Sequence, residues 1–161
     1  MAVFYSFHYE RDVNRVQLIR NMGKIDGQEI LRAQQWESIQ RRGDSAIKDW
    51  ISAQMKGKTA VVVLIGQETA SRRWVQHQIK EAWHNRKPLL GIRIHGLSAM
   101  GQTDSEGPDP FTIIPDHTST RPLIPIFDPT VRDWDGINSQ ATYRYLASNL
   151  YAWSQKGFTR S

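Results

Sequence analysis

The sequence predicts an α/β fold: an open, mostly parallel β-sheet with helices packed on both faces. Residues 59–65 (TAVVVLI) contain almost no polar break, which is typical of a strand that is covered on both faces. Helical patterns flank this run, and residues 89–94 (LLGIRI) form a second buried strand. Strands that alternate with helices in this way favour a parallel sheet.

The first strand is predicted at residues 3–8, where aromatic and polar side chains alternate. A helix follows with Asp12 as its N-cap. Its inward face carries Val13, Val16 and Ile19. Residues 28–31 predict a weak second strand, and a polar loop containing Trp36 comes next.

The second predicted helix is capped by Asp44, and the third runs over residues 72–85. The second packs inward through Ile47, Trp50, Ile51 and Met55, and the third through Val75, Ile79, Ala82 and Trp83. Residues 95–122 form a loop of a length that is usually functional or mobile. Pro125 restricts residues 123–127 to an edge strand. A last helix packs inward through Tyr143, Leu146, Leu150 and Trp153.

Five strands suggest the flavodoxin-like order 2-1-3-4-5, with a crevice between the ends of strands one and three. We therefore expect residues 6–8 and residues 66–74 to face each other across one cleft. The length fits a single domain over residues 1–161.

Composition excludes several classes of protein. The chain has no cysteine, no apolar run long enough to span a membrane and no basic stretch typical of a signal peptide, so we expect a cytoplasmic protein. The net charge of +5 favours anionic ligands. Because the cations are scattered, nucleic-acid binding is disfavoured. The five histidines form no i,i+4 pair, so no metal site is expected.

Three familiar nucleotide or hydrolase motifs are missing. The run Gly57-Lys58-Thr59 precedes its strand, whereas a phosphate-binding loop follows one. No G-x-S-x-G elbow is present, and no Rossmann glycine fingerprint follows the first strand. These absences disfavour an α/β-hydrolase and a classical hydride-transfer enzyme.

The most informative pair is Trp74 and Gln78, which lie one turn apart on a helix that opens with Arg72 and Arg73. Trp74 can be half buried while Gln78 reaches the cleft. The competing interpretation is a packing tryptophan beside a solvated glutamine.

Several segments together resemble the TIR-like family of Thoeris antiphage defence proteins. The resemblance spans roughly residues 3–111 and is weaker beyond them. It is carried by residues 3–9 (VFYSFHY), Gly66, residues 72–75 (RRWV), residues 91–92 (GI) and residues 107–111 (GPDPF). It implies a TIR-like domain of flavodoxin-like topology that cleaves NAD⁺ and cyclises the ADP-ribosyl unit into a messenger for a separate effector protein.

The resemblance also implies a catalytic glutamate in a Trp-x-x-x-Glu motif, and this chain has Gln78 in that position. A carboxylate would stabilise the oxocarbenium-like centre formed as the glycosidic bond breaks, whereas a neutral amide can only hydrogen-bond the ribose. Loss of the charge is expected to slow cleavage on the order of 10²-fold or more. A natural non-catalytic member and a deliberate Glu-to-Gln replacement fit equally.

The remaining candidate site residues follow from the same cleft. Ser6, Phe7 and His8 end the first strand and are candidate binding residues, of which Phe7 and His8 can pack against a base or ribose. Arg72 and Arg73 can meet the pyrophosphate at the helix start, or else are exposed cations without a role. Trp74 is a further candidate binding residue. Glu81 is a candidate replacement for the missing acid, or else a surface glutamate paired with His77 or His84. The rival function is a nucleotide-binding or scaffold module that self-associates through TIR-type contacts. A receiver domain is disfavoured because residues 6–8 offer no acidic pocket.

Overall fold

The central sheet of the protein has five parallel strands in the order β2-β1-β3-β4-β5. This topology comes from a computed structural model that describes all 161 residues. The strands are β1 (Ala2–Ser6), β2 (Asp26–Gly27), β3 (Ala60–Ile65), β4 (Leu89–Arg93) and β5 (Ile126–Phe127). The predicted fold class and strand order are therefore confirmed. A two-stranded hairpin, β6 (Arg132–Asp133) and β7 (Gly136–Ile137), was not predicted.

Five α-helices cover both faces of the sheet. They are α1 (Tyr9–Asn21), α2 (Ala33–Arg41), α3 (Asp44–Met55), α4 (Arg73–His84) and α5 (Ser139–Ser154). Side chains of β3 alternate between two apolar cores, one shared with α3 and α4 and the other with α1 and α5. Every residue of β3 is buried, as expected for a strand with helices above and below it. None of the helices combines the length and apolar content needed to cross a membrane.

The second strand lies earlier than the sequence indicated, at Asp26–Gly27 rather than at residues 28–31. The side chain of Gln28 explains the difference. Its Oε1 accepts from the Tyr5 N–H at 2.7 Å, and its Nε2 donates to the Tyr5 carbonyl at 2.7 Å. The side-chain amide of Gln28 thus pairs with the backbone groups of Tyr5 in place of a further residue of β2. The chain can therefore leave the sheet after Gly27.

Helix α1 begins at Tyr9 and not at Asp12, and the strand before it ends at Ser6 and not at His8. Asp12 lies inside the helix, fully buried, and accepts from Arg15 at 3.1 Å. Burial raises the pKa of the Asp12 carboxyl. A Cβ at Gly66 would lie 2.2 Å from Asp12 Oδ2, so the end of β3 needs a glycine there.

Trp36, expected in a loop, lies in α2, where it is half buried. The segment 95–122 is mostly irregular, as predicted, with a short 3₁₀ helix at Pro110–Ile113. Asp109 fixes this turn by accepting from the Phe111 N–H at 2.7 Å. The predicted edge strand shortens to Ile126–Phe127, after Pro125.

Candidate functional site

A cavity of about 230 Å³ opens at the carboxyl end of β1, between the start of α1 and the start of α4. Its lining brings together Phe7 and His8 after β1 and Arg72, Trp74 and Gln78 of the α4 segment. The two segments predicted to face each other therefore do so. Gly66 is not part of the wall, because it packs against Asp12 and the backbone of residue 107.

Gln78 lines this cavity and is buried, with 8% of its surface exposed. Its Oε1 accepts a hydrogen bond from the hydroxyl of Ser6, at the last position of β1. Its Nε2 makes no hydrogen bond to the protein. Trp74 is half buried one turn earlier on α4 and lines the same cavity. The Trp74–Gln78 pair thus points into the pocket, and Ser6 touches the pocket through Gln78.

An aromatic wall lines the cavity on the side of α1, α2 and α3. Ring centroids of Phe7 and Tyr9 are 6.1 Å apart, those of Tyr9 and Trp36 are 5.9 Å apart, and those of Trp36 and Trp50 are 6.4 Å apart. Trp36 also donates its indole N–H to Glu10 at 3.2 Å. The wall offers flat apolar surfaces on which a planar heterocycle can stack. The sequence interpretation identified only Phe7 of these four residues as part of the site.

The two arginines at the start of α4 differ in their availability. Arg73 forms an ion pair with Asp44 at 2.5 Å and lies 4.5 Å above the Trp74 ring. Arg72 is the N-cap of α4, is exposed, and has no acidic group within ion-pair distance. The first backbone N–H groups of α4 also lack a capping side chain. Arg72 and this helix terminus together favour an anion at the rim of the cavity.

His8 is a buried polar group on the cavity wall, with 7% of its surface exposed. Its Nδ1 has no hydrogen-bond partner, and its Nε2 lies 3.4 Å from Glu10 Oε2. Burial, and secondly the charge of Arg72, lower the pKa of the His8 imidazole. Both causes favour the uncharged imidazole, and the unpaired Nδ1 is itself buried.

Glu81 does not replace the missing acid. Its carboxylate accepts from the Ser52 hydroxyl at 2.6 Å and pairs with His77 at 3.3 Å, and it does not line the cavity. The acids that do line it are Glu10, which contacts His8 and Trp36, and Glu29. No group of three or more potential metal-ligating acids or histidines occurs in the structure.

A flavodoxin-like sheet with a pocket between the end of β1 and the first turns of α4 defines a TIR-like domain. Residues 4–99 match the family model described as Thoeris protein ThsB, TIR-like domain, and the chain belongs to that family. The match covers the strands and helices that build the pocket, from β1 to β4.

A curated relative aligns over most of the chain. It is the Bacillus cereus (strain MSX-D12) protein named "Putative cyclic ADP-D-ribose synthase ThsB1". The two are 29% identical over 149 residues, which are 88% of this chain and 78% of the relative.

Proposed function

We propose that this chain is an NAD⁺-processing TIR-like protein of Thoeris antiphage defence, in which Gln78 makes turnover slow or absent. The name of the Bacillus cereus relative supports the choice of NAD⁺, because a cyclic ADP-ribose synthase draws its product from that dinucleotide. The observation that carries the proposal is that Gln78, held by Ser6, lines an aromatic pocket together with Trp74.

The proposed chemistry breaks the bond between the nicotinamide nitrogen and C1′ of its ribose. Nicotinamide leaves as a neutral molecule with the bonding electron pair, and positive charge develops at C1′. That centre is then captured by water, giving ADP-ribose, or by a nucleophile of the same molecule, giving a cyclic product. A carboxylate at position 78 would stabilise the developing charge, whereas the amide supplies only hydrogen bonds.

The remaining pocket residues take binding roles in this proposal. Phe7 and Trp74 provide ring surfaces for a base, and Arg72 with the start of α4 accommodates the diphosphate. Ser6 positions residue 78, and the His8 ring packs against the base or ribose as part of the cavity wall. The cavity is smaller than the roughly 300–1,000 Å³ typical of drug-sized ligands, so it encloses one nucleoside portion while the rest lies along the rim.

A second candidate function is nucleotide binding, or scaffolding through self-association, without catalysis. The neutral side chain of Gln78 favours this alternative, since Glu81 is engaged with Ser52 and His77 and does not line the cavity. In either case we propose action in the cytoplasm, where NAD⁺ is available. For the catalytic function we also propose a separate effector protein that responds to the messenger.

The decisive experiment incubates the protein and a Gln78→Glu variant with NAD⁺ and quantifies nicotinamide by chromatography. Gln78→Glu is expected to release it on the order of 10²-fold faster. Gln17→Glu is the matched control, because it adds the same charge on an exposed turn of α1 outside the cavity. Absence of nicotinamide release from both the unaltered protein and the Gln78→Glu variant would reject the enzymatic function. Weaker nucleotide binding by Arg72→Ala or Trp74→Ala would then support the second candidate.

A further inference from the structure

Glu10 is a carboxylate held in place on the cavity wall. Its Oε1 accepts from the Trp36 indole N–H at 3.2 Å, and its Oε2 lies 3.4 Å from the His8 Nε2. Its side chain nevertheless stays 54% exposed, and no lysine or arginine lies within ion-pair distance of it. The protein therefore orients both oxygens of Glu10 but leaves its negative charge without a cationic partner. A second acid of the lining, Glu29, is also exposed.

Aromatic rings line the same cavity as this carboxylate. Five half-buried side chains contribute them: Phe7, Tyr9, Trp36, Trp50 and Trp74. The face of an aromatic ring is electron-rich and attracts a cation that lies within about 6 Å of its centroid. The structure contains one such contact, because the Arg73 guanidinium lies 4.5 Å above the Trp74 ring. The hydrogen bond from Trp36 to a carboxylate polarises the indole and strengthens its attraction for a cation.

The two arginines of the lining do not cancel this attraction when a dinucleotide is bound. Arg73 is already paired with Asp44 at 2.5 Å. Arg72 has no acidic partner, but in the proposed binding mode the diphosphate lies beside it at the start of α4. A dinucleotide with a positively charged ring thus gains an opposite charge twice, from Arg72 at its diphosphate and from Glu10 at its ring. The same dinucleotide with a neutral ring gains only the first.

We propose that Glu10 is a specificity-determining residue, which together with the aromatic rings of the cavity selects a nucleotide with a cationic ring over its neutral-ring counterpart. NAD⁺ and NADH form that pair, since they differ by one hydride, which removes the charge of the ring. The inference rests on the proposed function, because it places the ring of NAD⁺ beside Glu10 while Gln78 meets the ribose. Glu10 contributes to binding the intact dinucleotide, whereas a carboxylate at position 78 would act as the glycosidic bond breaks.

The first test is isothermal titration calorimetry of the intact chain with NAD⁺ and with NADH. NAD⁺ is expected to bind about tenfold more tightly, from the combined effect of a cation–π contact and an ion pair at a half-exposed site. Glu10→Gln should lower this ratio by about threefold or more, and its amide oxygen can still accept from Trp36. Glu37→Gln is the matched control, because it removes the same charge from an exposed position of α2 outside the cavity, and it should leave the ratio unchanged.

The second test uses the ring without the rest of the dinucleotide. 1-Methylnicotinamide carries the cationic ring and lacks a diphosphate, and nicotinamide is its neutral counterpart. Saturation-transfer NMR at millimolar concentration is expected to detect binding of 1-methylnicotinamide in preference to nicotinamide. Glu10→Gln should weaken that preference, and Glu37→Gln should not.

The outcomes distinguish failure of this inference from failure of the proposed function. Equal affinity for NAD⁺ and NADH in the unaltered chain would overturn the selection of a cationic ring and leave nucleotide binding intact. An equal change of the ratio in Glu10→Gln and Glu37→Gln would overturn the role of Glu10, because net charge would then be the cause. If neither dinucleotide binds but 1-methylnicotinamide is still preferred in a manner that depends on Glu10, the proposed function fails and the selection stands. If no cationic probe binds, both fail.

Discussion

Replacing Gln28 by alanine is expected to destabilise the protein strongly, although the side chain is polar and lies beyond the end of β2. Gln28 is 5% exposed and makes two hydrogen bonds of 2.7 Å to the backbone N–H and carbonyl of Tyr5. Leaving a buried polar group unpaired costs about 1–3 kcal/mol. With both Tyr5 groups unpaired, and some relief from water, the free energy of unfolding should fall by about 2–5 kcal/mol. That is a large part of the roughly 5–15 kcal/mol of an ordinary domain.

The assay is urea unfolding, followed by tryptophan fluorescence and far-UV circular dichroism. With an m-value of about 2 kcal/mol per M, the midpoint should fall by roughly 1–2.5 M. Gln28→Glu keeps the acceptor for the Tyr5 N–H but places an oxygen against the Tyr5 carbonyl, so it should also be destabilising. Glu29→Ala is the control, and its exposed side chain should change stability by no more than about 0.5 kcal/mol. A Gln28→Ala midpoint equal to that of the unaltered protein would refute the reasoning, because Tyr5 would then have other partners.

Three further predictions concern other parts of the chain. Burial and the charge of Arg72 lower the pKa of His8 in the folded state. Its contribution to stability is therefore complete above about pH 6.5 and is lost as the pH falls below that value. The urea midpoints at about pH 7.5 and about pH 5.5 should differ less in His8→Gln than in the unaltered protein. Gly107→Ala should destabilise by about 1–3 kcal/mol, since its Cβ would lie 2.1 Å from the carbonyl oxygen of Gly66, and an unchanged thermal midpoint would contradict this. Trp134→Ser should leave stability within about 0.5 kcal/mol and remove red-shifted fluorescence, because that side chain is 95% exposed at the hairpin tip.

Long segments with a strong hydrophobic pattern were predictable from sequence. The elements predicted at residues 59–65 and 72–85 agree with the structure to within a residue or two. Burial on both faces leaves an unbroken apolar run in the strand, and burial on one face leaves a regular apolar stripe along the helix. The strand order followed from the alternation of such segments. The short strand at Asp26–Gly27 carries no such period, and its location depends on a side chain that bonds a residue 23 positions away.

The candidate site was predictable in part for the same reason. Trp74 and Gln78 belong to one helix, so their spacing alone predicts that they share a face. The bond between Ser6 and Gln78 joins residues 72 positions apart, and the aromatic wall draws on three separate helices or turns. Nothing in the sequence around Trp36 or Trp50 distinguishes a residue that lines a pocket from one that packs in the core. Asp12 was misassigned because an acid near a helix start is usually a cap, whereas this one is buried beside Arg15.

Helix α2 contributes no fully buried residue, although Trp36 on it forms part of the pocket wall. Segments with so few buried contacts open locally at a small fraction of the free energy of global unfolding. The backbone amides of Ala33–Arg41 should therefore exchange with deuterium long before those of Ala60–Ile65, and a nucleotide stacked on the indole should slow them selectively. A stacked nucleotide would thus be reported by one amphipathic helix, while the sheet beneath it stays intact.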